Sequence, residues 1–150
     1  MTVIDYITEE VTRQGHDVRF LDGIERVGWM VNAWCYALRS RPKLPRMRDA
    51  IELGRLVEPD KNASGIRNCN VRVGPRVCPD FECVAFLLDS LFEKRDTFTP
   101  IQFYKEFELI HPFRDGNGRS GKILMAWLGS TLLQPTFPPN DLFGGWIANP

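Results

Sequence analysis

Residues 110–122, I-H-P-F-R-D-G-N-G-R-S-G-K, constrain this chain more than any other stretch. Pro112 disfavours helical backbone at His111, so a preceding helix has to stop there. Gly116 and Gly118 permit positive φ and a close approach to the backbone, and Asn117 between them tolerates left-handed geometry. Asp115–Arg119 is therefore expected to turn its N–H groups inward as an anion nest. On one side, Ile101, Tyr104, Phe107 and Ile110 recur at three-residue steps, with Thr99 as N-cap and Pro100 at the first helical position. On the other, Leu124, Trp127, Leu128 and Leu132 recur at helical spacing. The stretch is a loop between two helices, and a helix N-terminus with free amides is a phosphate site.

Residue chemistry supplies roles. Arg119 is expected to clamp a phosphate bidentately, and Lys122, one turn on, to offer a point charge to a second phosphate. Asp115 is placed to hold Mg²⁺ through a carboxylate while phosphates complete its shell. His111, outside the nest, can take a proton from an attacking hydroxyl. A P-loop is excluded on two counts: Ile123 stands where its Mg²⁺-binding hydroxyl belongs, and a helix rather than a buried strand precedes it. A plain glycine-rich turn with a surface His and Asp stays open on these grounds alone.

His111–Arg119 resembles the signature of the Fic family, H-P-F-x-[D/E]-G-N-G-R, at every specified position. The resemblance implies an all-α Fic-type helical bundle with a small β-hairpin flap, its core spanning about residues 46–133. It implies a protein adenylyltransferase, moving AMP from MgATP to a Ser, Thr or Tyr hydroxyl of a target protein. His111 would be the general base and Asp115 the Mg²⁺ ligand. Gly116, Asn117, Gly118 and Arg119 would hold the nucleotide phosphates. Transfer of UMP, phosphocholine or phosphate, or nucleotide binding without turnover, are the alternatives. Where many members carry a second arginine this chain has Lys122, which keeps the charge but loses the planar fork. Gly118 occupies the position of a lysine in the phosphorylating Doc-type signature, which favours AMP transfer. No Ser or Thr is followed four residues on by a glutamate, so the family's inhibitory motif is missing, and a separate inhibitory partner is the alternative restraint.

A hairpin is expected within residues 66–79, I-R-N-C-N-V-R-V-G-P-R-V-C-P, around Gly74-Pro75. It resembles the family's flap in place and composition. Val71, Arg72, Val73 and Gly74 would then dock the target by β-augmentation. A hairpin that merely covers the core is the alternative. Cys69 and Cys78 could face each other across it, but a disulfide is not expected in cytosol.

The chain of 150 residues is read as one domain: N-terminal helices over 3–38, the core, and a proline-rich tail over 134–150. Helices are expected at Val3–Gln14, Val18–Leu38, Arg46–Val57 and Phe81–Phe92, the second apolar on most faces and hence central. Phe113 is expected to anchor the loop in the core, His16 to be an exposed turn residue, and Phe137, Phe143 and Trp146 to dock the tail. Nineteen basic and 19 acidic residues cancel, which gives no reason to expect nucleic acid or an anionic membrane. The basic run Arg39–Arg48 reads as a solvated, proline-broken loop. Four cysteines without C-x-x-C spacing and only two histidines argue against zinc and for reduced thiols in cytoplasm. No signal peptide is expected from residues 1–10, and no stretch of apolar residues is long enough to span a membrane.

Overall fold

The computed structural model describes residues 1–143. Among them are six α-helices, α1 (Val3–Arg13), α2 (Leu21–Ser40), α3 (Met47–Val57), α4 (Phe81–Glu93), α5 (Pro100–Ile110) and α6 (Asn117–Leu128). Two short antiparallel strands, β1 (Arg72–Val73) and β2 (Arg76–Val77), form a hairpin between α3 and α4, with Arg72 opposite Val77 and Val73 opposite Arg76. This is the all-α bundle with a β-ribbon expected above. No helix among the described residues is long and apolar enough to cross a membrane.

Local signals explain where the helices begin. Thr2, Asp80 and Thr99 each accept a backbone N–H at the start of α1, α4 and α5, and Asp5 and Gln102 return the bond to close capping boxes on α1 and α5. Pro100 sits in the first turn of α5, where its missing N–H costs nothing.

α6 lies against α2, α3 and α5, and eleven of its twelve residues are buried. Four of those buried are polar or charged, Asn117, Arg119, Ser120 and Lys122. The close fit of α5 on α6 needs Gly121, since a Cβ there would come within 2.9 Å of Glu108 Oε1 and 3.0 Å of the Tyr104 ring. The core runs from Tyr6, Ile7 and Val11 of α1 through Met30 and Trp34 of α2 to Phe103, Phe107 and Ile123.

α2 departs from expectation. It starts at Leu21, not Val18, and is not buried all round: Phe20, Leu21 and Ile24 are more than half exposed, and Trp29 is half-buried beside Arg26. Its inner face is Gly23, Arg26, Met30, Ala33, Trp34 and Ala37, a three-to-four-residue period that the outward aromatics obscured. Gly23 is there because a Cβ would meet the Asp17 carbonyl at 2.2 Å.

The hairpin is shorter than residues 66–79 allow. Residues before β1 are held as a loop by Arg67, whose guanidinium donates to four carbonyls: Cys69, Pro79, Ile110 and His111. Cys69 and Cys78 are free thiols. The tail docks through Phe137, stacked on Tyr6 at 4.1 Å, and Phe143, buried at the edge of Tyr104. Trp146 and the Gly144-Gly145 pair lie outside the described residues.

Candidate active site

α5 ends at His111, whose φ of 53° and ψ of 63° put it in the left-handed region while its N–H still bonds the Phe107 carbonyl at 3.0 Å. That turn lifts the chain off α5 and aims it at the start of α6. Phe113 then plunges into the core, fully buried, with its ring against Gly54 of α3 and 6.2 Å from Phe107. A Cβ on Gly54 would sit 2.4 Å from that ring. Gly54→Ala is therefore expected to cost about 1–3 kcal/mol and to displace the loop, read as a lower melting temperature and reduced ligand affinity together.

Gly116, the N-cap of α6, has a φ of 76°, and a Cβ there would meet Val57 Cγ2 at 2.8 Å. Glycine is required twice over, by conformation and by space. Gly118 and Asn117, by contrast, are already helical. The expected nest is thus one left-handed glycine followed directly by a helix N-terminus. No side chain caps that end, and the N–H groups of Asn117, Gly118 and Arg119 have no acceptor among the described residues. Asn117 and Gly118 border a cavity of about 220 Å³, which His111, Arg114, Asp115 and Gly116 line with them, together with Gln14 at the C-cap of α1 and Arg72 and Val73 of the flap. Arg76 pins the flap to the end of α5, donating to the carbonyls of Leu109 at 2.9 Å and Glu108 at 3.2 Å.

The His111 ring borders this cavity, and its Nδ1 has no partner among the described residues. Desolvation lowers its pKa to about 4; the Arg76 charge adds to this, and a hydrogen bond with the Glu108 backbone works the other way. At neutral pH the imidazole is uncharged and can accept a proton.

Asp115 is half-buried; Oδ1 accepts the Gly116 N–H at 2.7 Å, and Oδ2 receives Lys61 Nζ at 2.7 Å. Burial pushes its carboxyl up, but Lys61, the Gly116 amide and Arg119 together hold it below its ordinary range. His16, Glu58 and Asp115 each bring a donor atom within 4.8 Å of the others. His16 is less exposed than a free turn residue: its Nδ1 lies 2.7 Å from Asp22 Oδ2.

Three expected phosphate ligands have other occupations. The Asn117 side chain closes on Phe113, Oδ1 accepting its N–H at 2.8 Å and Nδ2 donating to its carbonyl at 3.0 Å, so only its backbone faces outward. Arg119 is 1% exposed; it donates to Glu58 Oε2 at 2.8 Å and to the Val57 carbonyl at 3.1 Å, and it does not line the cavity. Glu58 is shared with Arg26, which donates to both its oxygens. Lys122 is buried on the far side of α6, its Nζ 2.9 Å from Glu10 Oε2 of α1 and 3.1 Å from the Tyr104 hydroxyl. The helical turn that carries Lys122 away from Asn117 turns it toward α1 and α5. Its carboxylate partner therefore comes from within the chain.

Beside Lys122, Glu108 is fully buried with neither carboxylate oxygen bonded among the described residues, and desolvation raises its pKa to about 8. The folded form keeps this proton up to about pH 8, whereas the unfolded chain releases it near 4.5. Stability should therefore fall as pH rises from about 4.5 to 8, by an amount on the order of a few kcal/mol. Glu108→Gln is expected to flatten that slope in urea unfolding measured between those limits, and to be more stable than the parent at the upper one.

Arg114, Gln14, Lys61 and Glu58 were not singled out from sequence. Arg114 fills the unspecified position between Phe113 and Asp115, and the rest meet the loop only through the tertiary fold. No curated protein matches the chain. The Fic/DOC family model matches residues 47–129, from the start of α3 to just past α6. With more than half its length so matched, and with the loop between α5 and α6 inside the match, the chain belongs to the Fic/DOC family.

Proposed function

We propose that this protein is an adenylyltransferase that moves AMP from ATP to a Ser, Thr or Tyr hydroxyl of a target protein. Members of its family are typically transferases; the finer assignment rests on this chain's own residues. The observation that carries it is the shared cavity: an uncharged imidazole and the unbonded amides of Asn117 and Gly118, at one helix N-terminus, belong to residues that line the same space.

The free amides of Asn117, Gly118 and Arg119 receive phosphate oxygens, helped by the helix dipole. The cavity is smaller than the roughly 300–1,000 Å³ of a whole-ligand pocket, which suits phosphates with the nucleoside lying outside. Arg72 and Arg114, at its rim, are better placed than buried Arg119 and Lys122 to neutralise the departing pyrophosphate. Asp115 fits a hard divalent cation, since it is an ionised carboxylate whose Oδ2 already carries the Lys61 ammonium. Mg²⁺ held by Asp115 would neutralise and orient the phosphates. His111 takes the proton as the target oxygen attacks the α-phosphorus and pyrophosphate leaves. The flap places Arg72 and Val73 at the cavity edge, where a target strand paired along Val71–Gly74 would bring its hydroxyl to His111. Free thiols fit a cytoplasmic setting.

Incubation of the protein with cell lysate and ATP labelled at either the α- or the γ-phosphate tests this. Label from the α position alone is expected on protein. Transfer from the γ position would instead mean phosphorylation.

A further inference from the structure

The basic run Arg39–Arg48 lies at the other end of the bundle from the cavity. α3 begins there at Met47 and reaches the active loop at Val57; α6 starts at the loop with Asn117 and brings Trp127, in its last turn, to that end. The separation along either helix is about 15 Å. The run is not a loose loop. The Trp127 indole donates to the Lys43 carbonyl at 2.8 Å, and Trp127 itself is buried.

Arg39, Arg41, Lys43, Arg46 and Arg48 are all exposed and border one groove of about 340 Å³. The single acid in its lining is Asp49, which is buried and already occupied by the Tyr36 hydroxyl at 2.7 Å and the Arg46 N–H at 2.8 Å. Arg46 is also the one of the five with a carboxylate within 4 Å, at 3.8 Å from Asp49; the other four have none among the described residues. In a chain whose charges cancel, four unneutralised cations around one groove create a local field that attracts an anion. Next to it, and sharing Arg41, Pro42, Leu44 and Trp127, a cavity of about 160 Å³ continues to Leu132. It has room for one aliphatic side chain.

We infer that this groove binds an acidic segment of a partner protein, with carboxylates on the arginines and Lys43 and an apolar side chain in the Leu44–Trp127–Leu132 cavity. Several separated cations beside a cavity walled by Pro42, Leu44, Trp127 and Leu132 match a chain carrying both features, which a free phosphate does not. Bases have nothing to stack on, since the Trp127 ring is buried and the Tyr36 hydroxyl is tied to Asp49. The fastened loop keeps the ordering cost of binding low. A segment held here leaves the cavity at the opposite end open.

Fluorescence anisotropy with a short labelled peptide of Asp and Glu around a central leucine tests this. Its Asn/Gln counterpart, a serine-for-leucine version and a single-stranded oligonucleotide serve as comparators. The acidic leucine peptide is expected to bind about tenfold more tightly than the uncharged one and more tightly than the serine version. The doubly reversed Arg39→Glu/Arg41→Glu protein, and separately Arg48→Glu, should lose about tenfold in affinity with unchanged circular dichroism and melting. Equal binding of the uncharged peptide, tighter binding of the oligonucleotide, or full affinity in both reversed proteins would overturn the assignment.

Discussion

Replacing His111 with alanine is expected to lower transfer by about 10²–10⁴-fold while ATP affinity stays close to that of the parent. The imidazole lines the cavity but makes no contribution to its anion-binding surface, which is built from backbone amides of α6. Alanine also leaves the left-handed turn in place, held by the His111 N–H on Phe107 and by Arg67 on the His111 carbonyl. The pH profile carries a second signature. Because burial holds the imidazole pKa near 4, the base is already free at pH 5. The acid limb of kcat/KM is expected to be flat down to that point and to fall only as pH approaches about 4. Label transfer to a lysate target, followed across pH, checks both; a limb near the ordinary histidine value would place the ring in water.

Arg119→Ala is expected to act on stability first. Removing it breaks the contact with Glu58, a carboxylate that is 1% exposed, and leaves Arg26 to neutralise it alone. Breaking a buried pair costs about 3–5 kcal/mol. The melting temperature should fall by about 6–20 °C at this chain length. Arg119 ties the first turn of α6 to the last of α3, so loss of ATP binding should accompany unfolding rather than appear in an intact protein. A clamp on phosphate would instead raise the KM for ATP and leave melting unchanged. Scanning calorimetry beside ATP titration separates the two.

Much of the bundle was legible because its signals are local. Thr99, Pro100 and Asp80 announce helix starts within a turn of themselves, and Pro112 with Gly116 announces the loop. Phe113 could be placed in the core from its apolar bulk alone. What remained hidden depends on residues far apart in sequence. Glu58, on which Arg119 and Arg26 converge, is 61 and 32 positions from them. Glu10, the partner of Lys122, is 112 positions away. Arginine and lysine beside a glycine-rich turn have the chemistry of phosphate ligands whether or not a carboxylate reaches them through the fold. Helical phase decides, and α6 points both inward. In α2 the opposite error arose: Phe20 and Ile24 look like core residues, yet Gly23 packs on the Asp17 turn and rotates them into solvent.

The central claim is that anionic phosphate lies on the exposed amides at the start of α6, within reach of the His111 ring. Backbone ¹⁵N–¹H spectra recorded while MgATP is added to the intact protein test it most directly. The amide signals of Asn117, Gly118 and Arg119 and the ring signals of His111 are expected to move together and saturate at one concentration, with the Lys122 and Tyr104 signals little changed. Shifts that leave those amides in place, or that centre on another face of the bundle, would contradict it.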